Sequence, residues 1–396
     1  MKIAIVVHGR FHAFNLTRAL LKRNHKVILF TNYPKWVVER FGVSKKYVRS
    51  FPLHGVVARL LWWLHHKFGF PYPEAFLHRA FGLWAAKGIQ KEHWDVVHSF
   101  SGVAEELLQT LKGSSSLTVL VRGSAHIRTQ ARILKEEEER TGILINEPSP
   151  WMIAREEREY ALGDRVIVLS KFAFESFVNE KFPSEKLRLL PLGVQMEEFR
   201  PSREVVEARY RRILDGQPLL VLYVGAISFR KGMWDMLKIV QSVNKKRFQF
   251  TFVGTATAEI KKITGELRNK VVFVPKQPEQ KLLKWYAEAD LFIFPTIEDG
   301  FAQVLTQAQA SALPILTTTN CAGSDLIRQG EIGWVLPIRQ PEAFVNQLKW
   351  CDENRENIAE MVWRIYREYH PRNWSDVGTD FEKICLENLK REKSAN

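Results

Sequence analysis

A chain of 396 residues is too long for a single hydrophobic core and fits two domains. Its 45% hydrophobic and 26% charged residues have the proportions of a soluble globular protein, and no apolar run reaches the roughly 18 residues of a membrane span. The net charge of +14 is concentrated near the start: residues 1–100 hold sixteen Lys or Arg against four acids, together with Trp36, Trp62, Trp63, Trp84 and Trp94. That composition points to an anionic partner or a membrane surface, although a solvated basic face over a Trp-rich core has the same composition. No nucleic-acid motif accompanies the charge, so nucleic acid is not an expected partner. Cys321, Cys351 and Cys385 are far apart and odd in number. They give neither a disulfide framework nor a metal spacing and suit a reducing, cytoplasmic compartment.

Taken in order, the chain alternates apolar runs with helical stretches. Runs at Lys2–Val7, Lys26–Thr31, Asp95–Ser99, Thr118–Arg122, Arg165–Leu169 and Leu187–Leu190 predict one set of strands. A second set follows at Leu219–Val224, Gln249–Val253, Lys270–Val274, Leu291–Phe294, Pro314–Thr317 and Gly333–Leu336. Such alternation predicts α/β architecture with buried parallel sheets, here two facing doubly wound domains. The boundary falls in Pro191–Pro201, giving domains of 1–195 and 196–376. Ligands of such sheets bind outside the carboxyl ends of the strands, which places a site in the cleft between the domains.

The first strand opens into His8-Gly9-Arg10-Phe11-His12. One glycine is not a dinucleotide fingerprint, but Gly9 allows backbone to come close to a ligand. Arg10 and His12 are candidates to meet that ligand, with solvent-facing loop positions the plainer account. Residues Phe51 to His93 carry apolar residues at helical spacing with Arg and Lys between them. They are either two core-packing helices or a patch that meets lipid headgroups or a lipid-linked acceptor. The fourth strand run leads into Arg122-Gly-Ser124-Ala-His126, polar groups at a strand's carboxyl end. Glu136–Glu139 is a solvated acidic face. The second domain opens with Gly225, then Arg230-Lys231-Gly232, cations suited to a departing phosphate group.

The stretch from Asp290 to Pro314 combines a strand, a polar loop and a helix, and so presents helix amides at a strand's carboxyl end. Gln303 and Gln307 share a helix face. Its Pro295-Thr-Ile-Glu-Asp299-Gly300-Phe301-Ala302 and Gln307 resemble the donor-site motif of the retaining family-4 glycosyltransferases, P-S-x-x-E-G-F-G with a second Glu eight residues after the first. Gly225, Lys231 and Gly232 resemble the family's V-G-R-x-x-x-x-K-G, and Pro191–Pro201 its interdomain junction.

The resemblance implies the GT-B fold, with the last helix, from about 377 to 396, crossing back to the first domain. It implies transfer of a sugar from a nucleoside-diphosphate donor to a carbohydrate or lipid-linked acceptor. Asp299 would bond sugar hydroxyls, and the amides of Gly300, Phe301 and Ala302 would hold sugar or phosphate. Arg230 and Lys231 would stabilise the departing diphosphate. Gln307 would face the ribose, His126 would contact the donor, and Arg10, His12, Arg122 and Ser124 would lie on the acceptor side. No D-x-D sequence occurs, so neither a metal nor another cofactor is expected. The departures are Asp299, Gln307, Ala302 and Ala312 where the family has Glu, Glu, Gly and Gly, and Ala226 where it has Arg. They leave open an epimerase of nucleotide sugars and a binding protein without turnover.

Overall fold

The computed structural model describes residues 1–260 and 265–395. The side chains of Met196, Glu197, Ala258 and of residues from 390 on lie outside that description, as does residue 396, the end of the expected C-terminal segment.

Two wholly parallel sheets dominate the fold. The first contains β1 (Lys2–Val7), β2 (Lys26–Thr31), β3 (Val48–Ser50), β4 (Val96–Phe100), β5 (Leu117–Val121), β6 (Arg165–Val168) and β7 (Leu187–Leu189), in the order β3-β2-β1-β4-β5-β6-β7. The second contains β8 (Leu219–Val224), β9 (Phe248–Val253), β10 (Val271–Val274), β11 (Leu291–Phe294), β12 (Ile315–Thr318) and β13 (Gly333–Leu336), in the order β10-β9-β8-β11-β12-β13. Strand side chains alternate between two covered faces. Ile3, Ile5 and Val7 of β1 join one apolar cluster, and Ala4 and Val6 join another.

Two strands are shifted by one residue from the prediction, β4 to Val96–Phe100 and β5 to Leu117–Val121. The flanking backbone still pairs: the Asp95 amide donates to the Lys2 carbonyl at 3.0 Å and the Arg122 amide to the Ile167 carbonyl at 2.9 Å. β3 is only three residues long, too short for its alternation to register in the sequence.

The helix Trp374–Ala395 packs on the helix Ala13–Lys22 of the first lobe, where Val377, Phe381 and Ile384 share a cluster with Leu16 and Leu20. The lobes also touch along the first-lobe helix Ile127–Thr141. Its Leu134 enters the second lobe's core, and its Arg140 meets Asp235 at 2.7 Å. From the other side, Arg339 reaches Glu136 at 2.8 Å, so this end of the predicted solvated acidic face belongs to the contact between lobes.

Candidate functional site between the two lobes

In the second lobe the strand order reverses between β8 and β11, and the loops that leave these strands lie side by side. The carbonyl of Arg230 accepts the amides of Ile297 and Glu298, at 3.0 and 3.3 Å. Gly232 makes this approach possible: it has φ +79°, and a Cβ there would lie 1.8 Å from the Pro295 carbonyl. Residues 225–232 and 295–302 therefore form one platform that carries both cations and both acids.

Glu298, not singled out in the sequence, is completely buried. Its Oε1 accepts the Ser124 hydroxyl at 2.6 Å and the Ala125 amide at 3.1 Å, both from the first lobe. Its Oε2 accepts Arg230 Nε at 2.8 Å and Gln130 Nε2 at 3.3 Å. Burial alone would raise this carboxyl, but Arg230 and Lys231, with the Ser124 and Ala125 hydrogen bonds, together hold it below the usual carboxylate range. Arg230 also donates to Ser124 Oγ at 2.8 Å. The first lobe thus closes onto the second through one ionised carboxylate. The available signal was an acidic doublet in a loop otherwise matched to a motif with one acid.

Asp299 makes a different set of contacts. Its Oδ1 accepts the amides of Phe301 and Ala302 at 3.1 and 2.8 Å, and its Oδ2 accepts Lys231 Nζ at 2.6 Å. Burial opposes its ionisation and Lys231 restores it, leaving the carboxyl below its ordinary range. Two of the amides expected to hold sugar or phosphate are therefore occupied by the protein's own carboxylate. Gly300 lies against the first lobe, and a Cβ there would fall 2.4 Å from the Gly123 carbonyl. The Phe301 side chain plugs into the first lobe's core. In this closed state the lobes meet where donor space was expected.

Gln303 donates to the Gly193 carbonyl at 3.3 Å, in the segment that joins the lobes. Gln307 is buried; it accepts the Tyr286 hydroxyl at 3.0 Å and donates to Glu279 at 3.4 Å. Glu279 was missed because it starts the neighbouring helix, Glu279–Glu288, outside the motif. A cavity of about 540 Å³ adjoins the same platform, lined by Ile227, Gly254, Ala256, Phe273 and Pro275. Gly225 packs between Tyr223 and Phe294 beneath that loop.

His126, expected to contact the donor, caps a helix. Its ring packs on Tyr160 and Phe177, and its Nδ1 accepts the Arg128 amide at 3.3 Å as the cap of helix Ile127–Thr141. Burial pulls its pKa down to about 4. Arg122 is a brace: besides Glu156 and Gln130 it donates to the Ala125 carbonyl at 3.1 Å, fixing the loop that carries Ser124. At the end of β1, the Gly9 amide donates to Asn32 Oδ1 at 2.9 Å, and Arg10 lies over the Phe41 ring at 4.4 Å. His12 is buried against Phe100, and burial, then His98, take its pKa to about 3. The exposed group of this loop is Phe11, which the sequence did not mark: it is 67% exposed, has φ +40° and stacks on Phe100.

Two family models match the chain: Glycosyltransferase Family 4 over residues 10–198, and Glycosyl transferases group 1 over residues 218–354. Among similar proteins is the capsular polysaccharide biosynthesis glycosyltransferase CapM of Staphylococcus aureus, 25% identical over 43% of this chain and 46% of that protein, about half its length. The D-inositol 3-phosphate glycosyltransferase of Streptomyces scabiei is 23% identical over 84% of this chain and 76% of that protein. Anabaena HepE, solved with UDP-glucose, superposes with a TM-score of 0.69 at 12% identity, over 99% of this chain and 100% of that one. The superposition shows the same GT-B arrangement of two facing lobes.

Proposed function

The chain belongs to the group 1, family 4 glycosyltransferases, and from that premise we propose that it moves a sugar from a nucleoside-diphosphate donor to an acceptor hydroxyl, with retention at the anomeric carbon. The observation that carries this reading is the platform itself. Arg230 and Lys231 stand beside a helix start at the carboxyl ends of β8 and β11, where charge on a departing diphosphate is best met. Glu298 and Asp299 hold those cations in the closed state, so donor binding exchanges carboxylates for phosphates as the lobes part. Asp299 then turns to the sugar hydroxyls and frees the amides of Phe301 and Ala302.

Gln307 and Glu279 together address the ribose. The amide can both donate and accept, and Glu279 restores a carboxylate beside the position where the motif has its second Glu. The cavity next to Ile227 takes the base. The platform's second carboxylate, Glu298, is buried and bonded to Ser124, Ala125, Arg230 and Gln130 rather than placed for attack, so the reaction uses no covalent sugar–enzyme intermediate. The acceptor is a carbohydrate or a lipid-linked hydroxyl held by the first lobe, and the work is done at the cytoplasmic face of a membrane. The three cysteines, all buried and free, suit that compartment.

The test is a melting panel with UDP, GDP, ADP and their sugars, since a ligand of the folded state raises apparent stability, followed by turnover of the nucleotide sugar that binds. Transfer lost in Asp299→Ala supports the reading. An epimerised donor formed without acceptor, or tight nucleotide binding with no turnover on any acceptor, would replace it with one of the two other readings.

A further inference from the structure

The helix Pro52–Phe68 leaves most of its surface uncovered, burying only His54 and Ala58. Leu53, Val56, Leu60 and Trp63 follow one stripe and are exposed by 45% (Trp63) to 68% (Leu53). The surface continues past the helix end: Trp63 meets Phe68 at 5.5 Å between ring centres, and Phe68 meets Phe70 at 6.3 Å. An apolar surface of this extent on a water-exposed protein marks a contact site.

Charge identifies the partner. From Arg40 through Pro73 the chain has six Lys or Arg, Arg40 included, and no acid. Lys45 and Arg49 pair with Glu39 and Glu92. Among the described residues Arg59 and Lys67 have no acidic partner; Lys67 rides over the Trp63 ring at 4.8 Å and Arg59 over Tyr33 at 5.6 Å. A second copy of the chain would set this positive face against itself. An anionic bilayer complements it, with Trp and Phe in the headgroup zone and cations toward the lipid phosphates. No helix among the described residues is long and apolar enough to cross a membrane, so the segment lies on the surface.

Behind the stripe is a cavity of about 270 Å³. Val56, Arg59 and Trp62 line it on the helix side, and His8 and Asn32, at the ends of β1 and β2, line it on the other. It therefore joins the exposed helix to the ends of β1 and β2. His8 Nε2 is buried and has no hydrogen-bond partner. Burial, with His78 and His54 nearby, takes its pKa to about 3, so the ring is neutral. We propose that the segment 52–70 seats the enzyme on an anionic bilayer and that this cavity admits the hydroxylated headgroup of a lipid-borne acceptor. This rests on the glycosyltransferase reading for its chemistry but not for its docking.

Two measurements on the full chain decide it. In flotation with phosphatidylglycerol and phosphatidylcholine vesicles, the protein should rise at least tenfold more with the anionic lipid, and Leu60→Gln/Trp63→Gln should remove the difference. Label from the nucleotide sugar that raises Tm should pass into total lipid extract of the source cells reconstituted in vesicles. The double variant should lose that transfer while keeping its Tm shift with the nucleotide. Absence of flotation, flotation kept by the variant, or a dimer that the variant dissolves overturns the docking. Label recovered only in water-soluble product overturns the lipid-borne acceptor. If no nucleotide raises Tm, the transferase reading falls, and flotation still decides the face.

Discussion

The carboxylate of Glu298 and the hydroxyl of Ser124 meet at 2.6 Å across the boundary between the lobes. The same carboxylate holds Arg230, and Arg230 in turn reaches Ser124 at 2.8 Å, so the three groups close a ring. Ser124→Ala should cost about 1 kcal/mol in urea unfolding, and Glu298→Ala roughly 3, because the second leaves Arg230 and the Ala125 amide without their acceptor. The double variant should fall short of the sum by about 1 kcal/mol or more. Strict additivity would mean that the contact between lobes is not made in solution. Glu298→Ala should also enlarge the radius of gyration measured by X-ray scattering in the absence of nucleotide.

Asp299 has two separable tasks, and two substitutions tell them apart. Asp299→Ala removes the acceptor of the Phe301 and Ala302 amides as well as the partner of Lys231. It should lower stability by about 1–3 kcal/mol, because two amides and a buried ammonium lose their acceptor, and reduce transfer at least 100-fold. Asp299→Asn keeps an oxygen for the amides and should retain most of the stability while still losing turnover. Lys231→Ala should lower kcat more than it weakens donor binding; a change in KM alone would assign Lys231 to uniform binding. Near-normal turnover in Asp299→Ala would remove this residue from the reaction.

Continuous apolar runs between helical stretches announced both sheets, because a parallel strand covered on two faces needs little besides Val, Ile, Leu and Phe. The platform was legible for a related reason: Gly232 and Gly300 are demanded because a Cβ there would lie 1.8 and 2.4 Å from a backbone carbonyl. Partnerships between distant residues were not legible. Nothing local to Glu298 says that its donors wait at Ser124 and Ala125, 174 and 173 positions earlier. Nothing near Gln307 points to Glu279. His126 illustrates the converse: a polar residue at a strand's carboxyl end looks catalytic in sequence, yet a helix begins at the next residue and takes it as its cap.

Ala302 and Ala312 stand where the family motif has glycine, and both keep the left-handed backbone, with φ of +64° and +56°. For an L-residue that conformation costs about 1–2 kcal/mol, while glycine adds about 0.4–1 kcal/mol of unfolded-state entropy. Ala302→Gly and Ala312→Gly should each therefore raise the urea midpoint, by the equivalent of about 0.5–1 kcal/mol. Ala302→Val should lower it, since a branched side chain tolerates this region worst. A midpoint lowered by both glycine variants would show that the turns do not carry this strain.

Buried neutral histidines set the acid limit of the fold. His8 and His12 are held at about 3, and His98 and His126 at about 4, in each case chiefly by burial. Around His126, Glu180 and Glu157 oppose that shift, and Arg122 and Arg128 add to it. A ring whose folded pKa lies below its ordinary value of about 6.5 binds protons more readily when unfolded. Its stabilisation is therefore complete above pH 6.5 and drains away as the pH falls toward 4, by up to about 1.4 kcal/mol per pH unit for each ring. His126→Asn tests one of them, because an Asn oxygen can still accept the Arg128 amide as a helix cap but takes up no proton. Between pH 7 and pH 5 the variant should lose about 2 kcal/mol less unfolding free energy than the parent. Equal losses in the two proteins would mean that the His126 ring is open to water and titrates normally.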